Sequence, residues 1–482
     1  MPWLRKVSMG LLLWLYALSA SSEIKGKFLG DDVQQFEATG FFQVEQRQGV
    51  WWLVTPDGDA FYSMGVSHIT PAGFYAPKLG YSPYKQSLLA TYGSKEKWAE
   101  ETRTRLLEWG FNTIGHWSQP EFFPEFPYTL WLDFSSLGGG DWMKEISPEV
   151  FELDEPNLRG VLSWAKGILP DVFDPEWERK VFEEAERLCG PRKNDPYLIG
   201  YFTDNELRWG PDWRGLETLL ELYMKLPAPA AGKKRLIQFF QERYQNNFSA
   251  FEKVWKSGAG NFEELLQKER LGASWWRERA KLQADVYAFD GIVAEKYFSV
   301  TTGAIRKADP NHLILGCRFH FFGVTPEIVK AAGKYNDVVS INYYYLTSLQ
   351  NLLPRLIGNV DFSGWMKKYY QLSGKPILVT EFSYPALTSG LPCSKGAPAM
   401  VFSQHDRALR YRLYTRNCQK APYVIGYNWF DYMDNPKEGM LVGENSNVGL
   451  VNKNDRPYDV LVKEISRLNH QAYATHLISS TK

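Results

Sequence analysis

Two glutamates stand at the ends of apolar runs and could act together on one substrate bond. Glu206 follows Asn205 after the β-prone run that begins at Leu198, and Glu381 lies in the run that begins at Ile377. A short apolar run bounded by polar residues is typical of a buried parallel strand. Two carboxyl groups at the carboxyl ends of such strands are the pair that cleavage of a glycosidic bond requires.

Other polar and aromatic residues fall at the ends of further predicted strands. Successive side chains of a strand alternate between its two faces, so residue parity shows which of them share a face. The residues that this reasoning brings to the same mouth as the glutamates are His68, His116, Trp117, Arg318, His320, Asn342, Tyr344 and Trp429. We therefore predict one site at the carboxyl ends of the strands, where barrel enzymes keep their chemistry.

The elements that must position this site are eight predicted strands that alternate with helix-like segments. The strands are predicted at 61–69, 112–117, 128–134, 198–207, 313–319, 338–344, 377–382 and 424–430. The helical segments are predicted at 94–109, 175–188, 287–307, 325–334 and 404–419. Such alternation indicates parallel β/α units, and eight of them close a (β/α)8 TIM barrel of the α/β class. The segment 137–170 is interpreted as a loop at the third position.

Three segments flank or interrupt the barrel, which is assigned to residues 59–482. Residues 1–22 combine Arg5 and Lys6 with an apolar run and small residues at Ala20, a pattern typical of a secretory signal. A retained N-terminal anchor is the alternative. Residues 23–58 contain two β-like runs and predict an N-terminal β-hairpin that covers the bottom of the barrel. Residues 208–283 predict a helical insertion after the fourth strand that walls one side of the cleft.

The composition argues against several kinds of partner. Lys+Arg and Asp+Glu both number 55, so no net charge attracts nucleic acid or an anionic membrane. The 18 tryptophans are a high number; much of this aromatic content belongs to the core, but exposed aromatic rings also make flat platforms for sugars. The four cysteines are widely spaced and predict neither a zinc site nor a disulfide framework. No later run has transmembrane length, so we expect a secreted or periplasmic protein without a membrane partner after signal cleavage.

At this point the chain resembles the clan of retaining glycoside hydrolases on (β/α)8 barrels, and within it most closely the β-agarase and β-galactosidase branches. Members carry Asn-Glu after the fourth strand and Glu after the seventh, which Asn205, Glu206 and Glu381 match. The other matching segments lie at 40–44, 51–58, 110–115, 239–244 and 309–313. His116 departs from the pattern, because the agarase-like sequence has asparagine there.

The resemblance implies double displacement on a β-linked galactan such as an agar-type polysaccharide or oligosaccharide, without a cofactor. Glu381 would attack the anomeric carbon, and Glu206 would protonate the leaving oxygen and later activate water. Asn205 would bind the sugar 2-hydroxyl, and Tyr344, or Tyr343 if the strand is bulged, would hold Glu381 in place. The other candidate substrate contacts are Trp429, as the floor of a sugar subsite, and Arg318, His68, His116 and His320, which could instead make structural hydrogen bonds.

Two alternative functions remain open from the sequence. A metal-dependent barrel hydrolase usually has a His-x-His pair after the first strand, and none of the 7 histidines of this chain forms one there. A non-catalytic carbohydrate-binding barrel would keep the aromatic residues but does not require two glutamates at strand ends. We therefore predict an enzyme without a metal site.

Overall fold

A closed sheet of eight parallel strands forms the centre of the molecule. The computed structural model describes residues 27–138, 158–167, 169–320, 322–344, 362–396 and 399–481. The sheet strands are β5 (Ser63–Val66), β6 (Thr113–Ile114), β7 (Tyr128–Trp131), β8 (Leu198–Phe202), β9 (Leu313–Gly316), β10 (Val339–Asn342), β11 (Ile377–Phe382) and β12 (Val424–Trp429). Each lies within a predicted strand, so the predicted (β/α)8 barrel is confirmed.

The strands pair in chain order around the barrel, and the circle closes between β9 and β10. β12 pairs with β5, and the remaining neighbours follow in sequence. Phe319 bridges to Ile341 beyond the end of β9 and so completes the ring. Every residue of β8, β9, β10, β11 and β12 is buried. Burial on both faces explains why these strands appear in the sequence as continuous apolar runs rather than alternating ones.

An antiparallel sheet of four strands precedes the barrel, where the sequence predicted a two-stranded hairpin. Its order is β1 (Asp31–Gln35), β4 (Asp59–Phe61), β3 (Val50–Val54) and β2 (Gln43–Arg47). The predicted hairpin is the β2–β3 pair, and β4 lies wholly beyond the predicted boundary at residue 58. Side chains of this sheet join an apolar cluster with residues near the amino ends of barrel strands, among them Leu53, Phe61, Ile199, Leu378 and Ile425.

Helices surround the barrel between successive strands. They are α1 (Pro83–Tyr92), α2 (Lys95–Glu108), α3 (Leu158–Lys166), α4 (Pro175–Cys189), α5 (Leu219–Met224), α6 (Ala231–Arg243), α7 (Phe248–Trp255), α8 (Phe262–Leu265), α9 (Trp275–Ala308), α10 (Pro326–Tyr335), α11 (Phe362–Ser373), α12 (Gln404–Lys420), α13 (Asp459–Asn469) and α14 (Ala472–Leu477). Two of them correct the sequence interpretation. Helix α3 lies in the segment interpreted as a loop, and α9 begins before the predicted end of the insertion at residue 283, with one non-helical residue at Glu278.

The N-terminal prediction cannot be compared with the fold, because residues 1–22 lie outside the described residues. Among the residues that are described, no helix is both long and apolar enough to cross a membrane. All four cysteines are buried free thiols. The Cys317 thiol has a pKa raised well above its ordinary value because burial disfavours the thiolate.

Candidate active site

A pocket of about 460 Å³ opens at the carboxyl ends of the barrel strands. Both predicted catalytic glutamates, Glu206 and Glu381, line it. The other residues predicted at this mouth that lie on its wall are His68, Trp117, Asn205, His320, Asn342 and Tyr344. A concave, largely apolar pocket with a few convergent polar groups is the usual form of a small-molecule or sugar site.

Glu381 is held by two donors, one on each carboxylate oxygen. The Tyr344 hydroxyl donates to Oε2 over 2.8 Å. The Arg318 guanidinium donates to Oε1. Both donors favour the ionised carboxylate, which is the form that a nucleophile needs. The predicted contact between Tyr344 and Glu381 is therefore present in the structure.

Arg318 and His116 lie behind Glu381 and are not among the residues of the pocket wall, an arrangement that favours structural hydrogen bonds over substrate contacts. The side chains of both are fully buried. His116 Nε2 contacts the same Arg318 nitrogen that reaches Glu381, and the guanidinium lies 4.6 Å from the centre of the Trp117 ring. Burial and the Arg318 charge lower the pKa of His116 well below its usual value, so a neutral His116 accepts from Arg318. The two residues position Glu381.

Glu206 is held by donors from two other elements. Asn342, at the end of β10, donates from Nδ2 to Glu206 Oε1 over 2.9 Å and to Asn205 Oδ1 over 3.1 Å. The Thr380 hydroxyl donates to Asn342 Oδ1 and so fixes the orientation of this amide. Trp164 on α3 donates from Nε1 to Glu206 Oε2 over 2.8 Å. Glu206 is therefore oriented on both oxygens before any substrate binds.

The backbone at the strand ends adopts the left-handed conformation that non-glycine residues rarely take. The residues with φ between 46° and 60° at the ends of the first five barrel strands are His68, Trp117, Asp133, Glu206 and Arg318. Each such residue costs of order 1 kcal/mol or more and persists where its surroundings fix it. The recurrence of this conformation at five strand ends marks the mouth of the barrel as the functional end.

Burial has a strong effect on the charge of Glu381. It raises the pKa of Glu381 to about 8, and the nearby Glu206 and Asp431 carboxylates act in the same direction. The Arg318 guanidinium and the Tyr344 hydroxyl act in the opposite direction. A neighbouring negative charge disfavours ionisation of Glu381, whereas a hydrogen bond donated to its carboxylate favours it.

His68 and His320 are neutral side chains on opposite sides of the pocket. His68 Nδ1 is 2.6 Å from Asp431 Oδ1, and its ring stacks on Trp117 at 4.8 Å. His320 Nδ1 accepts the Phe322 backbone N–H over 3.1 Å. Burial lowers the pKa of His68 to about 3 and that of His320 to about 4. His68 can therefore offer its second ring nitrogen to a neutral ligand without adding charge. His320 Nε2 instead lies 3.4 Å from an Arg214 nitrogen and 3.6 Å from Asp212 Oδ2.

Trp429 does not form a pocket floor, and that prediction is wrong. The side chain is fully buried. Its ring packs 5.3 Å from Phe382 and 5.8 Å from Tyr411 on α12, so it points outward from the barrel into the helical layer. Its Nε1 donates to the Val448 backbone carbonyl. The aromatic residue that follows it, Phe430, lines the pocket instead.

Several pocket residues were missed from the sequence. The additional residues that line the pocket include Trp131, Val161, Trp164, Trp213, Phe322, Lys395, Phe430, Met440 and Glu444. Most lie in connections after the strands and not in the strands themselves. The only sequence signal for them is the position of aromatic residues soon after a predicted strand, as at Trp213, and this signal is weak. Trp164 had no signal because its segment was interpreted as a loop.

Comparisons with known proteins identify relatives for this chain. No family model matches it. Beta-agarase B of Vibrio sp. (strain JT0107) is 28% identical over 95% of this chain and 51% of its own length, and Beta-agarase A of the same strain is 26% identical over 90% and 46%. The chain thus spans about half the length of the curated relatives it matches.

Solved structures give the same result for the fold. A crystal structure of an agarase superposes with a TM-score of 0.75 at 25% identity, and covers 98% of this chain and 70% of that one. An exo-β-agarase superposes with a TM-score of 0.76 at 24% identity, and the match covers 97% of this chain and 70% of the agarase chain. The chain is therefore a homologue of β-agarases built on a glycoside hydrolase barrel, which confirms the resemblance drawn from its sequence.

Proposed function

We propose that this chain is a retaining β-glycoside hydrolase that cleaves a β-linked galactan of the agar type by double displacement. The observation that carries the proposal is the pair Glu206 and Glu381 in one pocket, each with both carboxylate oxygens held by hydrogen bonds. The names of the relatives supply the substrate class.

In the first step the ionised form of Glu381, which the Arg318 and Tyr344 donors favour, attacks the anomeric carbon. Glu206 carries the proton and donates it to the departing glycosidic oxygen, so that the sugar alcohol leaves neutral. The product of this step is a glycosyl ester of Glu381, and Arg318 then loses its carboxylate partner until the ester is cleaved.

In the second step Glu206, now ionised, takes a proton from water, and the water oxygen attacks the anomeric carbon from the face that the leaving group vacated. Glu381 departs as a carboxylate and regains its two donors. Two inversions give net retention. Asn205, whose Oδ1 accepts from Asn342, presents its amide N–H groups to the sugar 2-hydroxyl, and His68 offers a neutral ring nitrogen to another hydroxyl.

Export is part of the proposal. An agar-type polysaccharide is too large to enter a cell, so an enzyme that meets it must lie outside the cytoplasm, in agreement with the predicted signal at residues 1–22. N-terminal sequencing of secreted protein should find a start near Glu23. Secreted protein that begins at Met1 would contradict this part.

The function is tested by incubating the purified chain with agarose and with neutral agar oligosaccharides. Chromatography should show shorter oligosaccharides, and proton NMR at early times should show the β anomer of the newly formed reducing end. The variant Glu381→Gln should give no product, and the matched control Glu263→Gln, on the exposed surface of α8, should behave like the wild type. Turnover by Glu381→Gln, or initial formation of the α anomer, would contradict the proposal.

A further inference from the structure

Two buried carboxyl groups lie outside the active site, where α9 packs against α10. Asp290 on α9 is 2% exposed, and its Oδ1 has no hydrogen-bond partner among the described residues. Glu327, in the first turn of α10, has a buried Oε2 that is likewise without a partner in the part of the chain that the structure describes. Burial of a charge is costly unless another group pairs with it, so these oxygens call for a partner.

The backbone brings the two carboxyl groups together. Gly291 follows Asp290 directly on α9, and a Cβ at this position would lie 3.2 Å from the Glu327 Cβ. Glycine therefore lets the Glu327 side chain cross the α9 backbone at close range. Burial raises the pKa of Asp290 well above its usual value, and the Glu327 carboxyl acts in the same direction. The two groups are within electrostatic reach of each other, and no positive charge of the described residues offsets this effect on Asp290.

Thr325 adds a third buried oxygen to the same place. It is the N-cap residue of α10, and its Oγ1 makes no hydrogen bond of normal geometry with a described residue. It nevertheless lies close enough to Asp290 to favour the ionised form of that carboxyl. Lys330 forms an ion pair with Glu327, but through the other carboxylate oxygen, Oε1, at 3.8 Å. Three oxygen atoms from the two ends of this helix contact therefore stay available for a ligand.

An open groove between α9 and α10 connects this cluster to solvent. The groove has a volume of about 710 Å³, and its wall includes Gly291 and Glu327. The Glu327 side chain is 33% exposed. Among the described residues, none lines both this groove and the active-site pocket. A small ion could reach the buried oxygens from the groove, and water in the groove could complete its coordination.

We propose that Asp290, Thr325 and Glu327 bind one hard divalent cation, Mg²⁺ or Ca²⁺, that joins α9 to α10. Both ions take oxygen ligands, and two carboxylates balance the charge of one such ion. Mg²⁺ is commonly held by one or two carboxylates and keeps several waters, for which the groove has room. The cation fixes the two helices that precede and follow β9 and so stabilises the fold. This structural site goes beyond the proposed function, and it departs from the sequence prediction of no metal site, which considered histidines and cysteines.

The test measures binding of the cation alone to the purified full chain, after treatment with a chelator and dialysis. Calorimetric titrations with MgCl₂ and with CaCl₂, at an ionic strength held constant with NaCl, give the number of sites and Kd. We expect one site per chain. At about one hundred times Kd the melting temperature should rise by about 3 °C, because the cation binds the folded chain and not the unfolded one.

Two variants, Asp290→Asn and Glu327→Gln, each remove one charged ligand and keep the size of the side chain. Each should weaken binding of the cation by at least about 10-fold and reduce the rise in melting temperature. The matched control is Glu295→Gln on α9, because the Glu295 carboxylate lies in the same groove but already accepts from Lys334 Nζ over 2.8 Å. The control should bind the cation like the wild type. Unfolding curves without cation confirm that each variant is folded.

Two results would overturn the proposal. The first is the absence of both a calorimetric signal and a melting shift with either cation at about 10 mM, above the Kd range of weak calcium sites. The second is equal affinity in the wild type and in both ligand variants, since the cation would then bind elsewhere. If Asp290→Asn fails to fold, Glu327→Gln decides the test, because its side chain is partly exposed. None of these measurements uses turnover, so a failure of the proposed function leaves this test unchanged.

Discussion

Replacement of Tyr344 by Phe removes the hydrogen bond to the proposed nucleophile, Glu381, and keeps the aromatic ring. The hydroxyl donates to Glu381 Oε2 over 2.8 Å. A hydrogen bond to a charged group contributes about 1.5–3 kcal/mol, and 1.36 kcal/mol corresponds to one pKa unit. Because the lost bond favoured the carboxylate, the pKa of Glu381 should rise by about 1–2 units. The group must be ionised to attack, so the variant should require a higher pH.

The assay is the pH profile of kcat/KM, whose acidic limb reports the free enzyme. In the wild type this limb should lie above the ordinary value of 4.5, because burial raises the pKa of Glu381. In Tyr344→Phe it should move upward by about 1–2 pH units, with a roughly 10- to 100-fold loss below it. Tyr369→Phe is the matched control, since that buried hydroxyl has no hydrogen-bond partner among the described residues. An unmoved limb in Tyr344→Phe, or the same shift in the control, would refute the reasoning.

Two further predictions concern neighbouring carboxyl groups. Glu206→Ala should lose activity by about 10²–10⁴-fold on a natural linkage but by much less on an activated aryl glycoside. Added azide should restore turnover and give a β-glycosyl azide as product. Equal losses of activity on both substrates, without rescue by azide, would mean that Glu206 has a structural role. Burial raises the pKa of Asp204 from 3.8 to about 7, so the protonated form is favoured in the fold and stability is lost as pH rises from about 4 to 7. Urea unfolding should show that the stability of the wild type relative to Asp204→Asn falls by about 4 kcal/mol over that range, and parallel pH dependences would contradict this assignment.

The sequence predicted the barrel because most of its strands are buried on both faces and therefore appear as continuous apolar runs. It placed Glu206 and Glu381 well for the same reason, since each stands where such a run ends. The alternation of side chains between the two faces of a strand was a weaker guide to which residues face the pocket. It put Trp429 at the mouth of the barrel, but the packing of Trp429 against Phe382 and Tyr411 shows that its face of the strand points outward.

The contacts behind the glutamates could not be predicted, because they join residues far apart in the chain. Arg318 and His116 are separated by 202 positions, and Trp164 and Glu206 by 42. A polar side chain that lies a few ångströms deeper in the barrel contacts another residue instead of the pocket. A sequence pattern does not encode this difference in position. Asp431, which orients His68, also follows its strand without a distinguishing motif.

The central claim is that Glu381 forms a covalent bond to the sugar, and trapping the intermediate tests it most directly. In a 2-deoxy-2-fluoro-β-galactoside with a good leaving group, the fluorine slows both steps, and the leaving group speeds only the first. The glycosyl-enzyme should therefore accumulate. Mass spectrometry of the digested protein should find one added fluorosugar on the peptide that contains Glu381, and none in Glu381→Gln. A label on any other residue, or turnover without a covalent adduct, would contradict the double-displacement account.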